Sequence, residues 1–516
     1  MCIVQQSFRH RLTLTAFLVS VVSCLLFTTE AQSPTAAGID SIRADELREK
    51  VTYLASEQFK GRGNGTSELN LAAEYIANTF ARNGLKPPAN TGGVYYQPFD
   101  IYSARLGSRN DVRIQGAGDN FNLKMRTDFL PEYWSVSGTV SGPLQLVEGA
   151  ANNIDLKGKI AVELEDRIVS DDPEFPLNAG EERRLEDAGA TAVLILQSAS
   201  DRGRGRMIAL AENFRDDLPV RMTSMAETGV PDYPTVPVLV LSGDAGRQVI
   251  SALHKPQSHV IAAITVDVER RVRHTQNVLG LIEGSSPSLK NEVMIVGAHY
   301  DHDGEAYGQI WYGADDNGSG TAALLELAEA FGNNSAPPAR SILLCAWAGE
   351  EKGLLGSRYY VHHPAVPLSD TVAMFQLDMI GRNEDHGENK SQQIPEEHAS
   401  DNANTVNVLG SAFSPDLKAA ISRLNGQTNL TLRYRYDFGA EDLMRRSDQW
   451  SFLQTGIPAI FFFTGLHPDY HTPRDTPDKI NYPKLEKITR LVYLTAFQVA
   501  NAPARPQFVK PAASGR

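Results

Sequence analysis

Apolar positions fall at helical spacing near the start of the chain and in short unbroken runs further on. Leu47, Val51 and Leu54 sit at i, i+4 and i+7, and Leu69, Ala72, Ala73, Ile76 and Phe80 repeat the stripe. Two amphipathic helices are predicted from this spacing. Gly84 ends the second and Pro87-Pro88 prevent its return. Between the helices, neither of which supplies obvious chemistry, lies the polar turn Lys60-Gly61-Arg62-Gly63-Asn64-Gly65. From 121 to 266 the texture changes. Runs 159–164, 192–196 and 236–241 read as strands and 181–188 as a helix. No cluster of catalytic or ligand types occurs there, and Arg202-Gly203-Arg204-Gly205-Arg206 reads as a solvated loop.

After 266 strands and helices alternate to the end. The runs 293–298, 342–347, 373–377 and 459–463 are short and continuously apolar. Strands of that kind, separated by helices, imply an α/β fold whose largely parallel central sheet is covered on both faces. The organisation predicted is a principal domain in two pieces, 32–120 and 267–502, interrupted by a smaller α/β module at 121–266. The ends of that insertion should lie close together in space. The segment 382–404 is too hydrophilic for a core and reads as a surface loop, and 503–516 reads as a disordered tail.

Length and composition add limits. A chain of 516 residues suits two domains, and its 42% hydrophobic content suffices for a core. A net charge of -13 argues against a nucleic-acid partner. Residues 1–31 read as a signal peptide: Arg9, His10 and Arg11 precede an apolar stretch, and Thr29-Glu30-Ala31 is a small-residue cleavage site. Export to the periplasm or the cell exterior follows, with no later run long enough to span a bilayer. Cleavage would remove Cys2 and Cys24 and leave Cys345, within an apolar strand, as an inert core thiol.

The chemistry lies directly behind the apolar runs. The first leads into His299-Tyr300-Asp301-His302-Asp303, the second into Ala348-Gly349-Glu350-Glu351, the third into Asp378 and the fourth into Pro468-Asp469-Tyr470-His471-Thr472-Pro473. A glycine-rich turn, Gly313-Ala314-Asp315-Asp316-Asn317-Gly318-Ser319-Gly320, opens a helix pattern at 321–331 and adds two adjacent carboxylates. An Asp N-cap alone would also suit that turn. Ligands bind at the carboxyl ends of strands in open α/β sheets. Two histidines and three carboxylates there suit a pair of Zn²⁺ ions with N and O ligands, and Asp316 is placed to bridge them. Asp301, two residues from His299, can orient its ring. Glu350 and Glu351 point different ways, so one can bind metal while the other acts as a general base. His302, His386, His398 and His467 are expected at the surface or behind the ligands.

Five stretches occur in the order of a known family: Gly297-Ala298-His299-Tyr300-Asp301, the 313–320 turn, Trp347-Ala348-Gly349-Glu350-Glu351, Leu377-Asp378-Met379-Ile380-Gly381 and Tyr470-His471-Thr472-Pro473. Together they resemble the motifs of the co-catalytic dizinc exopeptidases, the family of aminopeptidase Y, the bacterial zinc aminopeptidases and glutamate carboxypeptidase. Asp155-Leu156-Lys157-Gly158-Lys159-Ile160-Ala161-Val162 resembles the opening of a protease-associated domain, which that family often carries inserted. The resemblance implies a zinc-exopeptidase fold of the phosphorylase/hydrolase-like type and two Zn²⁺ per chain. It implies His299 and Asp378 on one zinc, Glu351 and His471 on the other, and Asp316 bridging. Glu350 is then the general base, Asp301 orients His299, and Tyr470 matches a residue that in some members stabilises the tetrahedral intermediate. Ser447-Asp448-Gln449 departs from the commoner Ser-Asp-His start, and no metal role depends on it.

The implied activity is removal of N-terminal residues from peptides. A glutaminyl cyclase of similar fold, a carboxypeptidase and a non-enzymatic binding protein are the alternatives. A carboxypeptidase needs a cationic pocket for the terminal carboxylate, for which Arg358, Arg445 and Arg446 are the candidates.

Overall fold

The computed structural model describes residues 36–510, apart from 117–118, 133–134, 148–153, 165–179, 198–234, 257–258, 307, 389–394 and 438–442. The expected signal peptide and the arginine-glycine run at 202–206 lie outside the described residues. The two expected N-terminal helices form at Ala44–Leu54 and Ser67–Arg82, each burying its apolar stripe. The Thr66 hydroxyl accepts the Leu69 N–H at 3.2 Å and so caps the second.

β1 (Tyr96–Leu106) leaves the principal domain. The second module contains β2 (Asp111–Gly116), β3 (Asp119–Leu123), β4 (Phe129–Pro131), β5 (Gly138–Leu146), β6 (Ile160–Leu164), β7 (Ala192–Leu196), β8 (Val238–Leu241) and β9 (Ile261–Val266). They form one sheet in the order β3-β2-β9-β5-β6-β7-β8-β4 around a core of its own. The module therefore begins by Asp111, ten residues before the expected 121. Val112 and Ile114 alternate inward from β2, and a strand with one wet face carries too few apolar residues to stand out. The chain returns along β10 (Val268–Ile282), antiparallel to β1. Leu106 pairs with Val268, and the Gly107 N–H donates to the Asp267 carbonyl at 2.8 Å. The chain on the two sides of 108–266 thus lies side by side.

The remaining strands are β11 (Val293–His299), β12 (Gly304–Ala306), β13 (Gln309–Trp311), β14 (Ser341–Trp347), β15 (Thr371–Leu377), β16 (Thr405–Leu409), β17 (Thr431–Arg433) and β18 (Ala459–Phe463). The principal sheet runs β1-β10-β14-β11-β15-β18-β16-β17. Its centre, β14-β11-β15-β18, is parallel, while β10 and β16 flank it antiparallel. Met294, Val296, Ile342 and Leu344 face one core with the helices Ala44–Leu54, Gly320–Gly332 and Tyr482–Asn501. Val293, Ile295, Leu343 and Cys345 face the other. Both faces are covered, which is why these strands read as unbroken apolar runs. β14 and β15 lie on opposite sides of β11, so the winding reverses at the carboxyl end of β11. A crevice opens at such a reversal.

Two expectations about surface segments change. Glu384 and Asn402, in the 382–404 segment, are buried. Arg435 pairs with Glu384 at 2.6 Å and Arg433 with Glu397 at 2.9 Å, so paired charge replaces apolar packing there. The tail expected to be disordered is held as far as 510. Arg505 Nε donates to Glu292 at 3.0 Å, the Val509 N–H donates to the Phe413 carbonyl at 2.8 Å, and Phe508 packs on Phe413. Among the described residues no helix is long and apolar enough to cross a membrane.

Candidate metal centre

The carboxyl ends of β11, β14, β15 and β18 bring all eight sequence-derived residues together. His299, the last residue of β11, is fully buried. Its Nε2 lies 3.2 Å from Asp378 Oδ1 and 3.3 Å from Asp316 Oδ1. His471, in the loop after β18, places Nε2 3.1 Å from Asp316 Oδ2 and 3.0 Å from Glu351 Oε2. Asp316 therefore turns one oxygen toward each histidine. Glu350 Oε2 stands 3.7 Å from His299 Nε2, on the Asp378 side. The Tyr470 ring lies against His471, with centroids 4.0 Å apart.

The turn bearing Asp316 is fixed by its neighbours. Gly313 has φ +55°, and a Cβ there would meet the Asp316 carbonyl oxygen at 2.1 Å, so only glycine fits. Asn317 Nδ2 donates to the Leu377 carbonyl at 2.9 Å, and its Oδ1 accepts the Gly320 N–H at 2.9 Å. Asn317, not an aspartate, thus caps the helix and ties the Asp316 turn to the strand that delivers Asp378. Asp475 accepts the N–H groups of Asp315 and Asp316 at 2.9 and 3.1 Å.

Asp301 departs from its expected contact. Its backbone carbonyl, not its carboxylate, is the nearer group to His299 Nδ1, at 3.2 against 3.7 Å. The carboxylate instead accepts the N–H groups of Glu350 and Glu351 at 3.2 and 3.4 Å, and Asn64 Nδ2 at 2.7 Å. It fixes the turn that carries both glutamates.

Sequence reasoning missed several supports. Arg62 is fully buried and donates to the carbonyls of Leu54, Tyr300, Tyr312 and Gly313 at 2.7–2.9 Å. Burial pulls its guanidinium down to about 10, so it remains cationic at neutral pH. Ser447 Oγ donates to Asp378 Oδ2 at 2.7 Å, and His302 Nδ1 lies 2.6 Å from Glu351 Oε1. Lys352 Nζ donates to Asp303 at 2.8 Å, and Asp303 Oδ2 stands 3.6 Å from His471 Nδ1. His302 and His467 are buried, His467 lying 3.3 Å from Asp315 Oδ2, whereas His398 is exposed. The signal the sequence offered for these partners was the glycine density of 61–65.

Charge in the centre is unbalanced. Burial, together with Asp378 and Glu351, pushes the Glu350 carboxyl well above the usual range in spite of His299. Burial also raises Asp378 against the pull of His299. Burial lowers the His471 imidazole, but Glu351 and Asp316 carry it well above its ordinary value overall. Crowded, desolvated carboxylates of this kind call for cations. The donors are imidazole nitrogen and carboxylate oxygen, and those of His299, Asp316 and Glu351, like those of His299, Glu350 and Asp378, lie within 4.8 Å of one another. This set fits a divalent ion that accepts N and O ligands. A pocket opens onto Asp316, Glu350 and Asp378, with Leu443, Phe461, Phe463 and Tyr470 in its walls.

Residues 277–496 match the model of Peptidase family M28. A probable glutamate carboxypeptidase of Zea mays is 27% identical over 373 residues, covering 63% of this chain and 48% of that protein. Aminopeptidase YwaD of Bacillus subtilis is 27% identical over 252 residues, 46% of this chain and 47% of that protein. The chain thus spans about half the length of these curated relatives. In overall fold it is similar to an aminopeptidase from Aneurinibacillus sp. strain AM-1, with a TM-score of 0.59 and 20% identity over 93% of this chain and 97% of that one.

Proposed function

We propose that the protein is a zinc-dependent exopeptidase, exported and acting as an aminopeptidase on peptides. Two zinc ions per chain fit the donors: His299 and Asp378 for one, Glu351 and His471 for the other, and Asp316 for both. The observation that carries this reading is the divided carboxylate of Asp316, with Oδ1 3.3 Å from His299 and Oδ2 3.1 Å from His471. The relatives named as aminopeptidases support the reaction class.

When bound, zinc supplies Lewis acidity toward water and the scissile carbonyl. The chain's own residues do the rest. Glu350, facing the cavity beside His299 and Asp378, accepts the proton of the attacking water and returns it to the leaving amine. Asp301 holds the backbone of Glu350 so that its carboxylate stays on that side of the centre. Tyr470 lines the same cavity, from where its hydroxyl donates to the oxygen that gains charge in the transition state. The inserted module, which resembles a protease-associated domain, limits which peptides enter.

The test is a panel of peptides with free or acetylated N-termini and free or amidated C-termini, presented to the zinc-loaded protein. Cleavage that requires a free N-terminus and ignores the C-terminus is expected. Cleavage that requires the free carboxylate would make it a carboxypeptidase, and cyclisation of N-terminal Gln without hydrolysis would make it a cyclase.

A further inference from the structure

Three of the segments that deliver ligands to the centre come together behind it. Asp378 is followed by Met379-Ile380-Gly381-Arg382, His471 is preceded by Pro468-Asp469-Tyr470, and Asp316 sits in the 313–320 turn. Arg382 belongs to the first and reaches the other two. The stretch it ends runs along the Asp316 turn: the Met379 N–H donates to Asn317 Oδ1 at 3.3 Å, Ile380 to Ser319 Oγ at 3.0 Å and Gly381 to Asp315 Oδ1 at 2.7 Å. Arg382 Nη2 donates to Asp469 Oδ2 at 3.2 Å, two residues before His471. Its Nη1 lies 4.0 Å from Asp475 Oδ1, and Asp475 Oδ2 accepts the N–H groups of Asp315 and Asp316. The Arg382 and Asp469 side chains are only 14% and 13% exposed, and that of Asp475 is fully buried. Arg474, which is exposed, and Lys479 also hold Asp469, at 3.0 and 2.9 Å, but both follow His471 in the chain and tie the loop to its own continuation.

We propose that Arg382 is a positioning residue that keeps the ligand segments of both metal positions in register, so that zinc affinity at both depends on a side chain standing behind the ligands. The inference rests on the two-zinc reading. A guanidinium directs separate N–H groups at two carboxylates, whereas an ammonium is a point charge. Largely shielded from water, these attractions are screened less than those at the surface. The sign of the effect separates this role from simple charge. A cation near the centre repels Zn²⁺, so without a positioning role the loss of Arg382 would tighten zinc binding. With that role, its loss loosens the Asp378, Asp316 and His471 segments from one another, and binding weakens at both positions.

The experiment reads zinc binding, not turnover. The zinc-loaded full chain is equilibrated with increasing amounts of a chromophoric chelator, as wild type, Arg382→Met, Arg382→Lys and Arg474→Met, and urea denaturation of each is followed beside it. Wild type should release two ions. Arg382→Met should hold both about 10- to 100-fold more weakly, as on loss of an outer partner of metal ligands. Arg382→Lys should fall between the two, because it keeps the charge without the fork, and it decides the matter where Arg382→Met does not fold. Arg474→Met, which removes an exposed partner of Asp469, should bind zinc as wild type does. Unchanged or tighter binding in the deciding variant, even with lower stability to urea, overturns the assignment while the two-zinc reading stands. An equal loss in Arg474→Met overturns it too. A wild type that holds a single ion overturns the two-zinc reading and this inference with it.

Discussion

Asp316 and Asp378 differ in reach. Asp316 faces both histidines, and Asp378 lies against His299 alone. Asp316→Ala should therefore weaken both metal positions together, and Asp378→Ala mainly one. Metal analysis after dialysis distinguishes them, and identical loss of one ion from both variants would contradict the bridge. Glu350 takes the proton and does not hold a metal in this scheme. Glu350→Gln should keep its metal content while turnover falls about 10²–10⁴-fold. Near-normal turnover at full occupancy would remove Glu350 from that role. The residues of the centre were legible because each stands directly behind an apolar strand or a glycine-rich turn. Their supports were not. Asn64 meets Asp301 across 237 positions and Ser447 meets Asp378 across 69. Nothing in a local pattern signals such contacts, and nothing in the polar turn around Arg62 reveals the four carbonyls that surround it.

Elements carry the centre into register. The 60–65 turn brings Arg62 beneath the strand ends, where one side chain satisfies carbonyls from the first helix, the β11 exit and the Asp316 turn. Arg62→Met keeps much of the volume and leaves those acceptors unmet. It should cost on the order of 3 kcal/mol in urea denaturation, and a loss below about 1 kcal/mol would show the turn to be peripheral. The C-terminal helix Tyr482–Asn501 buries Lys484, and burial pulls its ammonium down to about 7 against the opposing pull of Asp315 and Glu384. Above that pH the unfolded chain holds a proton that the folded chain has released. Wild type should therefore gain stability relative to Lys484→Met as pH rises from about 7 to about 10. A stability difference independent of pH would place the ammonium in contact with water. Strands buried on both faces were readable from the sequence and β2 was not, because a half-wet strand shares its alternation with many loops.

On the scale of the whole molecule the insertion hangs from adjacent strands. Leu106 and Val268 are paired, so a short Gly/Ser linker can replace 108–266 without moving the principal sheet. The shortened protein should bind zinc and cleave a small aminoacyl anilide, with a changed ranking of longer peptides. An unchanged ranking would place the module outside substrate selection, and loss of the small-substrate activity in a folded, zinc-loaded variant would place it within the centre. On the proposed reading the principal domain is a self-sufficient two-metal exopeptidase, and zinc back-titration tests that claim most directly. Metal-free protein is titrated with zinc while hydrolysis of a free Leu-4-nitroanilide and its N-acetyl counterpart is followed. Activity on the free substrate should reach its plateau at two zinc ions per chain, with the acetylated substrate left intact. A plateau at one ion, or equal cleavage of the acetylated substrate, would contradict it.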